Sequence, residues 1–212
     1  MKNKIAISKP IIKYLESKCF EDIAEYIEYE NILFEKNANK NILIDEKTIN
    51  SCKFINIDFT NITFNNVELI DCIFENCDLS NKTFEKKAIH RVEFTNCKLV
   101  GSSFASASLK NIKLINCNAK YINLYGAKME NILFKETDIS ESYFLETKLK
   151  NIDFDESILK KSEIINTPLA SIDFSNSNIE EIKIDLFSMK GLIVNMYQAI
   201  DLAKYLGVTI KY

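Results

Sequence analysis

Few side chains of this 212-residue chain are of a type that does covalent or metal chemistry: six cysteines, one histidine and no tryptophan. Cys52, Cys72, Cys77, Cys97 and Cys117 stand at multiples of five from one another. They contain no Cys-x-x-Cys pair and have no histidine at ligand spacing, so they read as compact, reduced hydrophobes and not as a metal site. His90, beside Arg91, has no Ser or Cys nucleophile poised near it in sequence and reads as a lone surface imidazole. Asp153, Asp155 and Glu156 cluster, and Asp173 follows twenty residues after Asp153. Paired carboxylates do acid–base work only in a cleft that raises a pKa, and a convex surface offers none. The cluster is therefore expected to be a solvated acidic patch or a docking surface. With no Gly-rich phosphate loop either, no catalytic, metal or cofactor residue is assigned, and the chain reads as a non-enzyme.

What must position these residues is a repeat. Every fifth residue from Ile44 to Val194 is apolar, with no slip of frame. A period of five fits neither a helix nor a flat strand. The residue two before each large one is usually small or β-branched, as in Cys72, Cys77, Ser102, Ala107 and Ile112, which is strand alternation. The residue two after it is often Asn or Gly, types that tolerate the left-handed conformation of a tight corner. Val92, Ile112, Ile132, Ile152 and Ile172 recur at twenty, as do Cys77, Cys97 and Cys117. Twenty residues are four units, so one coil has four faces. The spacing predicts a square all-β solenoid over 44–194, of about eight coils and roughly 37 Å at the strand spacing. Apolar content of 47% excludes bulk disorder, and only 4 Gly and 2 Pro exclude a collagen-like or linker-rich chain.

Residues 1–43 leave this frame and read as an N-terminal cap, with a helix from Pro10 to about Glu28 that aligns Ile12, Leu15, Cys19, Ile23 and Ile27. Residues 195–212 read as a C-terminal cap. Asn195 is the N-cap, Ala199, Leu202, Ala203 and Leu206 share a helical face, Gly207 ends the helix, and Val208 to Ile210 form a short strand. Met196, Tyr197 and Ile200 make the apolar stripe too wide for one use, which points to a homodimer through Met196, Tyr197, Ile200, Leu206, Val208 and Ile210. Lys82 and Lys87 depart from the pattern by taking inward sites, where either the stems pack and the heads snorkel out or, the favoured reading, the corner from Asn81 to Ala88 bulges. Tyr125, Leu145 and Ile165, twenty apart and outward, should stack with Tyr143 beside them as a partner-binding stripe. The net charge of −3 argues against direct nucleic-acid binding, and the absence of a long apolar run argues against a membrane span or signal peptide. The expected location is the cytoplasm. Acidic residues gather on the face of Phe134 and Phe154, whereas Lys110, Lys128, Lys148 and Lys150 lie on the face of Leu109, Met129 and Leu149.

The five-residue units resemble the pentapeptide-repeat family, which implies a right-handed quadrilateral β-helix. Tyr197, Gln198, Ala199, Leu206, Gly207 and Ile210 resemble the end of its quinolone-resistance (Qnr-type) and microcin-immunity (McbG-like) branch. In that branch a Tyr-Gln-Ala helix, Leu-Gly and a short strand join two rods end to end. The resemblance implies a dimeric rod that imitates duplex DNA. It would dock on DNA gyrase or topoisomerase IV and protect the enzyme from quinolones or gyrase-targeting toxins. The alternative is a cytosolic interaction scaffold with an unidentified partner.

Overall fold

A computed structural model describes residues 5–25 and 29–211. The five-residue units wind into an all-parallel β-solenoid of about eight turns. From Tyr29 onward the ladder pairs join residues twenty apart, as Leu109 with Met129 and Phe134 with Phe154, so four units make one coil. The longest strands, Glu68–Glu75, Ala88–Thr95, Ser108–Ile115, Lys128–Lys135 and Lys148–Asp155, each turn one corner and belong to a ten-stranded sheet. Every such corner holds a residue at positive φ, among them Asp71 (54°), Arg91 (52°), Asn111 (55°) and Asn131 (57°). Left-handed backbone redirects the chain without breaking the ladder, which is why Asn is frequent there.

The large residue of each unit points to the axis. Phe54, Phe74 and Phe94 form one column, with ring centroids 4.8 and 5.0 Å apart, and Phe134 and Phe154 stack at 5.0 Å. The spacing is that of parallel strands, so each ring meets the ring of the next coil at van der Waals distance. Corner asparagines also stack: Asn76, Asn96 and Asn116 each donate from Nδ2 to the Oδ1 of the asparagine one coil before, at 2.8–3.1 Å.

The N-terminal end differs from the sequence expectation, and the C-terminal end differs only in its last residues. The ladder begins upstream of Ile44, because Tyr29 pairs with Ile49, Leu33 with Lys53 and Glu16 with Ile32. No α-helix runs from Pro10: residues 5–15 form no regular element, Glu16–Ser17 is a strand, and Phe20–Glu25 is a 3-10 turn. Ile27 lies outside the described residues. Pro10 opens no helix because the preceding segment is tied along the rod, where Ser8 and Ile11 donate their amides to Asn111 and Asp71. Phe20 and Ile23 are buried, and the Phe20 ring meets Phe34, Phe54 and Phe59 edge-on, closing the first coil.

At the far end, α1 (Leu186–Met189) and α2 (Met196–Ala203) follow the last strand. Asn195 and Gln198 form a reciprocal capping box, and Gln198 Nε2 also donates to the carbonyls of Phe174 and Ser177, docking α2 on the final coil. A 3-10 turn, Lys204–Leu206, ends at Gly207 with φ 71°. Val208 to Ile210 form no strand and remain exposed, because no further coil offers them an edge.

Lys82 does not bulge its own coil. Asn81 and Lys86 keep ordinary corner φ values of 59° and 60°, and their amides bond to Val100 and Ala105. Instead the Lys82 stem packs inward and its ammonium donates to the carbonyls of Ile62 (2.8 Å) and Thr60 (3.3 Å) in the coil before. On that face the strand Ile62–Asn65 pairs only with Ile42–Asp45, and the ladder resumes from Thr83 to Ser103. The ammonium thus takes carbonyls that backbone amides hold elsewhere, and it leaves a seam in one of the four faces. Lys87 is half-buried at the edge of the same seam.

Candidate docking surfaces

The thiols are structural. Cys52, Cys72, Cys77, Cys97 and Cys117 are buried and free, and each donates to a carbonyl 23 residues earlier in sequence at 3.3–3.5 Å. Burial raises the Cys52 thiol to about 11 and Cys72 higher still. Neither supplies a thiolate at neutral pH. Among the described residues, no group of three or more His, Cys, Asp or Glu is placed to hold a metal ion.

His90 is less isolated than its sequence context suggests. It is half-buried in a corner network in which Arg91 grips Asp71 by two bonds of 2.5 Å while another guanidinium nitrogen lies 3.2 Å from the imidazole. Burial and the Arg91 charge lower its pKa, so the ring is neutral at pH 7.

The acidic group is brought together by coil register. Asp153 and Asp155 project from the strand Lys148–Asp155, beside Leu133 and Lys135 of the coil before, and Glu156 sits on the next corner at φ 52°. Asp173 is one coil on, and Asn176 Nδ2 donates to Asp155 at 2.9 Å. The surface is not simply convex: a groove of about 680 Å³ runs beside Asp153 and Asp173, with Ile5, Asn151, Ile172 and Ile193 in its walls. No carboxylate in the group is sequestered; Asp153, Asp155 and Asp173 are half-exposed and Glu156 is exposed.

The tyrosine stripe lies on another face. Tyr125 and Tyr143 are exposed, and Leu145 and Ile165 are half-buried and paired in register. The structure adds Tyr121, exposed one corner away, whose hydroxyl donates to Glu141 while that of Tyr125 donates to Glu146. Tyr121 escapes the sequence reading because it occupies a corner position, where Asn is expected, at φ 61°.

The C-terminal end carries the largest concentration of exposed apolar side chains. Met196, Tyr197, Leu206, Val208 and Ile210 are exposed, with Tyr197 at 74%, and Ile200 is half-buried. Leu186 and Phe187 of α1 join them, Phe187 at 63%. Leu186 takes a corner position of the frame and Phe187 a small inward site, and α1 turns both outward, so periodicity gave no signal for their exposure.

A family model described as a pentapeptide repeat region matches residues 67–144 and 87–164, and one described as pentapeptide repeats (8 copies) matches residues 49–81. No curated protein matches the chain. Among solved structures, trypsin-treated QnrB1, a plasmid-mediated fluoroquinolone resistance protein, matches with a TM-score of 0.51 and 19% identity, over 94% of this chain and 98% of that one. HetL, a pentapeptide repeat protein involved in heterocyst differentiation regulation from the cyanobacterium Nostoc, matches at 0.35 and 12%, over 79% and 89%. At 19% identity the likeness to QnrB1 is one of fold.

Proposed function

The chain belongs to the pentapeptide-repeat family, and from that premise we propose that it is a non-enzymatic rod that binds a type II topoisomerase, DNA gyrase or topoisomerase IV, in place of duplex DNA. Its interior is filled by stacked side chains, so recognition belongs to the outer surface. The observation that carries the reading is the gathering of Asp153, Asp155 and Asp173 at adjoining coil positions of one face, with Glu156 on its corner. Its fold likeness to a fluoroquinolone resistance protein supports the same reading. DNA carries about one negative charge per 1.7 Å. A net charge of −3 is far below that density, so imitation here is by shape plus one local acidic patch. The exposed apolar end of Met196, Tyr197, Leu206, Val208 and Ile210, with Ile200 beside it, is the proposed homodimer contact, which would double the length of the rod.

A supercoiling titration with DNA gyrase or topoisomerase IV, with and without a fluoroquinolone and at fixed salt, tests this. Inhibition at micromolar protein, or rescue from the drug, supports the reading, and Asp153→Ala with Asp155→Ala should weaken either effect. No effect on either enzyme rejects it. The tyrosine stripe of Tyr121, Tyr125 and Tyr143, with Leu145 and Ile165, favours a second reading, a scaffold for another protein. That reading expects a pull-down partner lost on Tyr125→Ala and unaffected by the aspartate changes.

A further inference from the structure

The corner column between two adjacent faces, Ser51, Asp71, Arg91, Asn111, Asn131 and Asn151, differs from the other corners. Ser51, Asp71 and Asn111 are buried, at 8%, 5% and 6% exposure, whereas Asn56, Asn76, Asn96 and Asn116 on the next corner are exposed. The cover is residues 5–13. Ser51 Oγ donates to the Ile11 carbonyl at 3.1 Å, the Ile11 amide donates to Asp71 Oδ1 at 2.8 Å, and the Ser8 amide donates to Asn111 Oδ1 at 3.3 Å. Ile5 reaches the level of Asn151, and Ile5 and Ile7 line a recess with Leu133, Lys135, Asp153 and Asp155.

The register is regular. Residues 11 and 8 bond residues 71 and 111, so three strap residues span two coils, and the next such step brings Ile5 to the groove that Asn151 also lines. Three extended residues cover about 10 Å and two coils about 9.6 Å, so an extended chain keeps step with the corner over its whole length. Corner carboxylate and amide oxygens accept main-chain N–H groups, and the recess takes the alternate side chains Ile5 and Ile7. These contacts read main chain and β-branched residues, which many sequences supply. Among the described residues, three hydrogen bonds hold the strap to the corner, beside the continuous backbone ladder under it.

We propose that this corner is a docking groove for an extended peptide segment with β-branched residues at alternate positions. Residues 5–13 are its resident occupant, displaced when a partner segment takes the groove. Displacement uncovers Leu133 and the flank of Asp153 and Asp155. The groove's existence is independent of the topoisomerase reading.

The test uses the full chain with a weakened strap, Ile5→Asp with Ile7→Asp, and a labelled synthetic peptide of residues 1–14 as probe. The peptide should bind the weakened-strap chain at least about tenfold more tightly than the unaltered chain, because only there is the groove free. Adding Asp71→Ala and Asn111→Ala should abolish the gain. Equal binding to both chains, or binding that survives loss of Asp71 and Asn111, overturns the proposal. Native-state hydrogen exchange on the unaltered chain is the second measurement. The Ser8 and Ile11 amides should exchange at least about a hundredfold faster than the coil amide of Ile73, as a locally opening segment does. Equal protection would make the strap a fixed part of the rod and contradict displacement. A concentration-dependent rise in mass of the weakened-strap chain without peptide would assign the groove to a second copy and overturn the separate partner. Peptide binding and exchange read the groove alone, so a negative supercoiling result leaves them unaffected.

Discussion

Each corner of this solenoid needs a residue in left-handed backbone, and the sequence does not always supply a suitable one. Asn56, Asn96 and Asn166 fit, but Lys161 holds φ at 60° and is exposed. The strain for an ordinary L-residue is about 1–2 kcal/mol, and Asn relieves part of it. Lys161→Asn should therefore raise stability by roughly 0.5–1 kcal/mol in denaturant unfolding, and a loss would contradict the corner assignment. Lys82→Ile replaces an ammonium that occupies two carbonyls with a side chain like Ile112 and Ile132. It should close the seam, slow exchange of the Thr83 amide and raise stability by about 1 kcal/mol. Unchanged exchange at Thr83 would mean that the seam has another cause. Asp71 supplies a pH test. Burial pushes its pKa up, but the bonds from Arg91 and from the Ile11 amide outweigh this and hold it below the ordinary carboxylate range. A carboxylate with a lowered folded pKa stabilises fully above its unfolded value, and that stability is lost as pH falls through the folded one. The strap should therefore stay closed through neutral and mildly acid pH and loosen only at strongly acid pH. Ser8 exchange corrected for its intrinsic pH dependence reads this, and loosening near pH 6 would implicate His90 instead.

At the scale of elements, the coils and the C-terminal helix were legible, and the N-terminal end was not. A residue such as Phe134 is specified by its own spacing, because every coil repeats the same local geometry and the twenty-residue columns fix the register. The frame upstream of Ile44 was obscured because Tyr29 and Phe34 continue it among polar and irregular neighbours. The strap was hidden for a different reason. Ile5, Ile7 and Ile12 are apolar at spacings that suit several structures, and what decides among them is Asp71 and Asn111, which are 60 and 103 residues from their partners. Burial of a corner column by a distant segment leaves no mark on local periodicity. The acidic group and the tyrosine stripe were grouped because coil register places residues twenty apart side by side; Tyr121 and Leu186 were missed because they lie at corner positions, and Phe187 because α1 turns an expected inward site outward. The C-terminal helix was read through Asn195, whose side chain accepts from the Gln198 amide at 3.0 Å. Asn195→Ala should cost about 1 kcal/mol. It should also free Gln198 from the last coil, visible as faster exchange at the start of α2.

The whole molecule is a rod with a strap along one corner, an acidic patch toward its C-terminal half and an apolar end. That end sets an expectation for assembly. Sedimentation should give a dimer, and Phe187→Glu with Leu206→Glu should give a folded monomer; a monomer at every concentration for the unaltered chain would remove the proposed contact. The central claim, that the rod takes the place of DNA on a type II topoisomerase, is tested most directly by competition. Labelled duplex bound to DNA gyrase is titrated with the protein at fixed salt, and its anisotropy is followed. The account predicts release of the duplex at micromolar protein, with Asp153→Ala and Asp155→Ala shifting the midpoint upward by about tenfold. Duplex that remains bound at about a hundredfold excess of protein would contradict it.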